Sequence, residues 1–172
     1  LQSLKDTAIM RQLSEYINND FKPFSSSEIV VEIQDFFSEV TYSHFPVMDN
    51  GIYIGCISAV DAETFETEKK IIDFRYSFEG FFVREDTNWL DVLEAFAQNH
   101  TNLVPVLDEE NKYVGYYEIS DIISFFNETP FIKEPGGIIV VKKAVIAVIL
   151  LMIGPLANAG LLWMILPLTL IL

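Results

Sequence analysis

The chain has 172 residues, 51% of them hydrophobic, a single cysteine and a formal net charge of −14. That length gives one or two small units with enough chain to bury a core. Every acidic residue precedes Lys143, and so much negative charge repels phosphate backbones and anionic lipids, which argues against nucleic-acid binding by the folded part.

Leu13, Tyr16 and Ile17 keep helical spacing and predict a short leader helix within residues 1–20. Met10 opens a run that resembles a natural start, so residues 1–9 are read as preceding the native protein. Pro23 keeps Phe21–Phe24 extended. An amphipathic helix follows over Glu28–Val40, with Ser25 and Glu28 spaced as a capping box. Phe45–Met48 is a short apolar run and predicts a buried strand. Asp49-Asn50-Gly51 predicts a tight hairpin turn, Ile52–Ser58 a second strand, and Asp61 the first turn of a short helix.

The linker up to Gly80 is charged over Glu66–Asp73, which reads as helix or loop. Phe81–Val83 predicts a short strand matching Lys22–Phe24. A second amphipathic helix spans Asn88–Asn99 with Thr87 as its N-cap. A strand around Val104-Pro105-Val106, a turn at Asp108–Asn111, a strand over Lys112–Tyr117 and a helix from Ser120 to Phe126 complete the pattern. The aromatics Phe36, Phe37, Phe81, Phe82, Trp89, Phe96, Phe125 and Phe126 are expected in the core.

This order occurs twice. Pro46 and Pro105 stand 59 positions apart, while Gly55 and Gly115, like Asp61 and Asp121, stand 60 apart. The extra residue of the second copy therefore falls in the turn. A fixed-period self-match defines the structural unit: residues 21–79 form repeat 1 with its linker and residues 80–130 form repeat 2. Each unit has a sheet face that it cannot bury alone, so the two are expected to pack face to face.

Pro135-Gly136-Gly137 is a turn without the Lys-Ser/Thr ending of a phosphate-binding loop. Ile138–Val141 predicts one more strand within a connector over 131–143. From Ala144 to Leu172 there is no charged residue, a stretch long enough to span a bilayer. Lys142-Lys143 would hold the preceding part on the cytoplasmic side. Two readings of this tail stand side by side: a membrane anchor interrupted by Gly154-Pro155 and Pro167, or a non-native product of a frame slip near Lys142-Lys143.

Cys56 has no partner for an internal disulfide and reads as a small buried apolar residue, which suits a reducing cytoplasm. His44 and His100 precede the two apolar strands, and neither has a ligand partner at metal-binding spacing. They read as turn or cleft-rim residues. No nucleophile with a base, metal cluster or cofactor loop is present in the pattern, so catalysis is not expected.

The pattern apolar-Pro-Val, turn, Gly-x-x-Ser-x-x-Asp resembles a CBS domain. Its residues are Phe45-Pro46-Val47 with Gly55, Ser58 and Asp61, and Val104-Pro105-Val106 with Gly115 and Asp121. Two in tandem over roughly Met10–Pro130 resemble a Bateman module. The acidic character and the run Glu134–Val141 are similar to bacterial CBS-pair proteins of the acetoin-utilisation type. Those continue into an ACT-like domain, whereas this chain departs after Val141.

The resemblance implies an α+β fold of two βαββα-type repeats and a sensor rather than a catalyst. It implies an adenosine-containing regulatory ligand, AMP, ATP or S-adenosylmethionine, held at Phe24, His44, Phe45, Pro46, Ser58, Asp61, Val83, Val104, Pro105 and Asp121. Asp61 and Asp121 would receive ribose hydroxyls, and Ser58 would contact phosphate. Glu118 stands where repeat 2 should carry that hydroxyl, so its cleft is expected to hold adenosine, S-adenosylmethionine or nothing. A homodimer is also implied. The alternative is a ligand-free dimerisation or tethering module, held at the inner face of the plasma membrane through 144–172.

Overall fold

The computed structural model describes residues 13–128, together with 3–5, 8, 146, 147 and 150. The connector strand, most of the apolar tail and part of the leader lie outside the described residues. Among the described residues no helix is long and apolar enough to cross a membrane.

The element order is β1 (Phe24–Ser25), α1 (Val30–Glu39), β2 (His44–Asp49), β3 (Ile52–Ser58) and α2 (Ala59–Thr64), then β4 (Val83–Arg84), α3 (Trp89–Gln98), β5 (Leu103–Leu107), β6 (Tyr113–Glu118) and α4 (Ile119–Glu128). The architecture is mixed α+β, with one three-stranded sheet in each repeat. The orders are β1-β2-β3 and β4-β5-β6, the first pair parallel and the second antiparallel in both.

Registers repeat as well. Phe24 pairs with Val47 and Val83 with Val106; Pro46 pairs with Cys56 and Pro105 with Tyr116. Each hairpin has a register shift at the same place, between Val47 and Met48 and between Val106 and Leu107. The two prolines therefore occupy equivalent places. The first hairpin turns at Asn50 (φ 48°) and Gly51 (φ 82°), the pair of positive φ values that a tight two-residue turn needs. The longer second turn ends on Asn111 at φ 62°.

Several sequence expectations need correction. In the leader, residues 3–5, 8 and 13 are helical, and Ser14–Tyr16 is a 3-10 turn. Ser25 and Glu28 do form part of a capping box, with the Ser25 N–H donating to Glu28 Oε1 at 2.9 Å. Yet α1 starts later, at Val30, and its N-cap Ile29 supplies no side-chain bond. The Val30 and Val31 N–H groups are instead taken by the Lys69 and Thr67 carbonyls, at 2.9 and 3.1 Å. The charged linker thus serves as a backbone cap for groups that would otherwise be orphaned.

Helix α3 is capped by Asn88, not Thr87: the Leu90 N–H donates to Asn88 Oδ1 at 2.9 Å. The strand expected at Phe81–Val83 is the two-residue β4, Val83–Arg84. Residues Ile71–Ser77 fold as a 3-10 segment. Phe82 is exposed rather than in the core; it lies beside Tyr53 and under the Arg84 guanidinium, 5.2 Å from ring centroid to charge centre.

The chain divides into two compact units that cut across the repeats. One is Ile17–Asp86 with Thr101–Glu118, and the other joins the described residues before Ile17, Thr87–His100, and the described residues from Ile119 on. The first holds both sheets, and β2 packs against β5. Its core comprises Phe24, Val30, Ile33, Phe45, Val47, Ile57, Phe65, Ile71 and Phe74, joined by Leu103 and Tyr116 from the second sheet. The Phe65 and Phe74 rings stack at 4.0 Å. In the second unit α3 buries Trp89, Val92, Leu93, Phe96 and Ala97, the apolar stripe of an amphipathic helix. Trp89 meets Phe126 edge to face, and Tyr16 meets Phe125 likewise.

Each hairpin is also joined by a segment leading into the other repeat. Asn18 exchanges both backbone bonds with Tyr116, at 2.9 and 2.8 Å. Glu79 does the same with Cys56, at 2.7 and 2.9 Å. The repeated glycines make room for these crossings. A Cβ on Gly115 would come within 2.5 Å of the Asn18 carbonyl oxygen, and one on Gly55 within 2.9 Å of Phe78 Cβ.

Candidate functional site

Strand β3 ends at Ser58, which caps α2: the Asp61 N–H donates to Ser58 Oγ at 3.0 Å. Asp61 stands in the first turn and is partly exposed. His44 opens β2 directly opposite Ser58 in the ladder. Its side chain is nearly buried, and Nε2 lies 3.1 Å from Glu79 Oε1. Nδ1 lies 2.9 Å from Ser43 Oγ, and the ring meets Phe81 edge to face at 5.4 Å.

Burial pushes the His44 imidazole below its ordinary range, against the opposing pull of Glu79 and, more weakly, Asp61. A neutral ring fits the geometry: Nε2–H donates to Glu79, and Nδ1 accepts from Ser43. Ser43 also anchors the two strand starts to each other. Its N–H donates to Asn102 Oδ1 at 2.9 Å, and the Asn102 N–H donates back to Ser43 Oγ at 3.1 Å. The Asn102 side-chain amide reaches the Thr41 carbonyl at 2.7 Å.

The structure thus sets Glu79 against His44, whose ladder partner Ser58 caps the helix that carries Asp61. Pro46 lies on the His44 face of β2 by strand alternation. Phe24 and Phe45 turn to the opposite face, where their rings meet at 4.9 Å within the core. Val83 and Val104 are buried side chains of the second sheet, and Pro105 is the ladder partner of Tyr116. Asp121 lies in the first turn of α4, in the other compact unit.

Glu118 ends β6 as Ser58 ends β3, but its carboxylate is engaged differently. It accepts a short bond from Tyr42 Oη and a longer one from Asn18 Nδ2, at 3.4 Å. Tyr42 Oη also lies 3.1 Å from Tyr116 Oη. Desolvation, followed by the bond to Glu118, holds the Tyr42 phenol far above its ordinary range.

Sequence reasoning did not find Glu79 or Tyr42. Neither belongs to the repeated motif, and Glu79 reaches the site only because its backbone bridges Cys56. Cys56 is fully buried, as expected, and burial raises its thiol pKa strongly. Among the described residues no cluster of three or more His, Cys, Asp or Glu could hold a metal ion. An open cavity of about 360 Å³ lies at the other end of the second sheet, lined by Arg84, Glu85, Asp86, Leu107, Asp108 and Glu109. None of the expected site residues lines it.

Comparison with known proteins agrees with this geometry. Residues 79–128 match the model of the CBS domain family. An uncharacterised protein of Methanocaldococcus jannaschii is 27% identical over 134 residues, covering 77% of this chain and 51% of the relative. The chain therefore spans about half the length of that relative. A CBS domain pair/ACT domain protein from Thermotoga maritima shares the fold with a TM-score of 0.59 and 22% identity, over 67% of this chain and 95% of that one. The CBSX2 protein in complex with AMP superposes with a TM-score of 0.53 and 17% identity, over 64% of this chain and 92% of that one. Repeat, ladder register, family match and shared fold together support a CBS domain pair protein.

Proposed function

We propose that the chain is a regulatory module that senses an adenosine-containing ligand of the AMP, ATP or S-adenosylmethionine class, and that it does not catalyse a reaction. The observation that carries this is the meeting of Asp61, Ser58 and buried His44 at the paired ends of β2 and β3. A partly exposed carboxylate can accept two hydrogen bonds from a ribose diol. Pro46, buried two residues along the strand from His44, backs this end of the sheet. The shared fold with an AMP-bound CBS protein supports the ligand class.

In this reading repeats 21–79 and 80–130 are the working units, and Asp121 is the counterpart of Asp61. Val83, Val104 and Pro105 belong to the second repeat's share of the ligand environment, and Phe24 and Phe45 support the first from behind. Ligand binding then shifts the packing between alternative arrangements and so the affinity for a regulated partner. A homodimer is the association state this reading implies.

Titration calorimetry with AMP, ATP and S-adenosylmethionine tests the site. Saturable heat is expected with at least one compound, and Asp61→Ala is expected to weaken it tenfold or more, about 1.4 kcal/mol. A folded protein that releases no heat with any of the three would overturn the reading. Heat unchanged by Asp61→Ala would remove that carboxylate from the site.

A further inference from the structure

Resting on the adenosine-site reading above, we infer that Glu79 sets the charge class of the ligand: the site takes an adenosyl group with a positive or uncharged 5′ substituent in preference to a phosphorylated one. A sulfonium such as that of S-adenosylmethionine, or a bare nucleoside, has the favoured charge.

Three observations converge. Glu79 is held in place by its main chain, with both backbone groups bonded to Cys56 at 2.7 and 2.9 Å. Gly55 leaves room for this segment, since a Cβ there would stand 3.2 Å from the Glu79 carbonyl oxygen. The main chain thus delivers the Glu79 side chain to His44, where its carboxylate, about 41% exposed, lies 3.1 Å from Nε2.

The charges that act on the buried His44 ring also have one sign. The groups whose charge acts on His44 are the carboxylates of Glu79 and Asp61. His44 is nearly buried and is engaged on both ring nitrogens, by Glu79 and by Ser43. A phosphate placed beside Asp61 would add a further negative group to this set, and like charges repel where water is partly excluded. A sulfonium would be attracted by the same pair.

Finally, the donors on either side of Val60 at the start of α2 are engaged, the Ala59 N–H by the Ser43 carbonyl and the Asp61 N–H by Ser58 Oγ. Helix α2 has only six residues, too short for a strong terminal dipole. A phosphate would have to displace the Ser58 cap before it could gain the Asp61 donor.

The test is calorimetry of the full chain with adenosine, AMP and S-adenosylmethionine, on the unmodified protein and on Glu79→Gln. The backbone bonds of Glu79 do not need its carboxylate, so the variant keeps its anchoring, and circular dichroism checks the fold. The unmodified protein is expected to bind S-adenosylmethionine or adenosine at least tenfold tighter than AMP. Glu79→Gln should narrow that ratio fivefold or more, mainly by improving AMP. Raising the salt should narrow it in the unmodified protein too, because screening weakens the repulsion.

AMP bound as tightly as adenosine by the unmodified protein would overturn the inference while leaving the adenosine site standing. A ratio unchanged in Glu79→Gln would overturn the role of Glu79. If no adenosyl compound binds, the site reading itself fails, and this inference falls with it.

Discussion

Ser58 and Glu118 end equivalent strands, yet one caps a helix and the other braces the opposite sheet. Ser58 stands with His44 and Asp61, with Glu79 on the far side of His44; Glu118 holds Tyr42 and Asn18, with Tyr116 bonded to Tyr42. The position of His44 is filled in repeat 2 by Leu103, which is fully buried. The bridging position is Glu79 for one hairpin and Asn18 for the other. Two copies of one backbone have thus diverged: polar groups converge near a partly exposed carboxylate in the first, and in the second the same locus is drawn into hydrogen bonds that tie the sheets together. A duplicated frame lets one copy hold the structure while the other keeps reactive polarity near solvent.

The largest expected effects come from the feature the copies share. Gly115→Ala must push the Asn18 carbonyl aside, and Gly55→Ala must fit a side chain at φ +135° against Phe78 and Glu79. Each should cost about 2–3 kcal/mol in urea unfolding. Hydrogen exchange should separate them: Gly115→Ala frees the Asn18 and Tyr116 amides, and Gly55→Ala frees those of Cys56 and Glu79. A neutral substitution at either place would show that its crossing segment is not seated as tightly as its twin.

A smaller effect sharpens the difference between strand ends. Ser58→Ala removes the side-chain cap of α2 and should cost about 1 kcal/mol. Thermal unfolding reads this directly. No loss of stability would mean that the Asp61 N–H finds water equally well.

The smallest effect is the pH dependence contributed by His44, which Leu103 cannot share. The folded-state pKa of His44 lies below its unfolded value of about 6.5. The unfolded chain therefore takes up the proton first as pH falls. The stability His44 contributes is complete above about pH 6.5 and is lost as pH drops from there toward the folded value, by less than about 1.4 kcal/mol per pH unit. His44→Leu, which places the second repeat's residue in the first, should flatten this part of the stability–pH curve. An unchanged slope would assign the titration to other groups.

Much of the frame could be read from residue order. The spacing of Pro46 and Pro105, the Asn50-Gly51 turn and the extra residue in the second turn all have direct backbone consequences. The limits of β3 agree residue for residue, because β-branched residues and a positive-φ turn bound that strand on one side and a capping serine on the other. Local signals failed where long-range partners decide. Ser25 and Glu28 form their box, but the Lys69 and Thr67 carbonyls, some 40 positions on, set where α1 begins. Thr87 and Asn88 are both good caps, and only the backbone path selects Asn88. At the candidate site Asp61 follows from the repeat, and His44 and Ser58 come from the resemblance to the family motif. Glu79 follows from neither, since a one-residue bridge leaves no periodic trace.

The reciprocal crossings at Asn18 and Glu79 bear on how such a molecule could arise. A lone repeat would display a hairpin edge with a glycine hollow and nothing to fill it. An ancestor of half this length would have needed a twin, each copy lending its leading segment to the other's edge. Gene duplication would then have converted that exchange between molecules into one within a single chain.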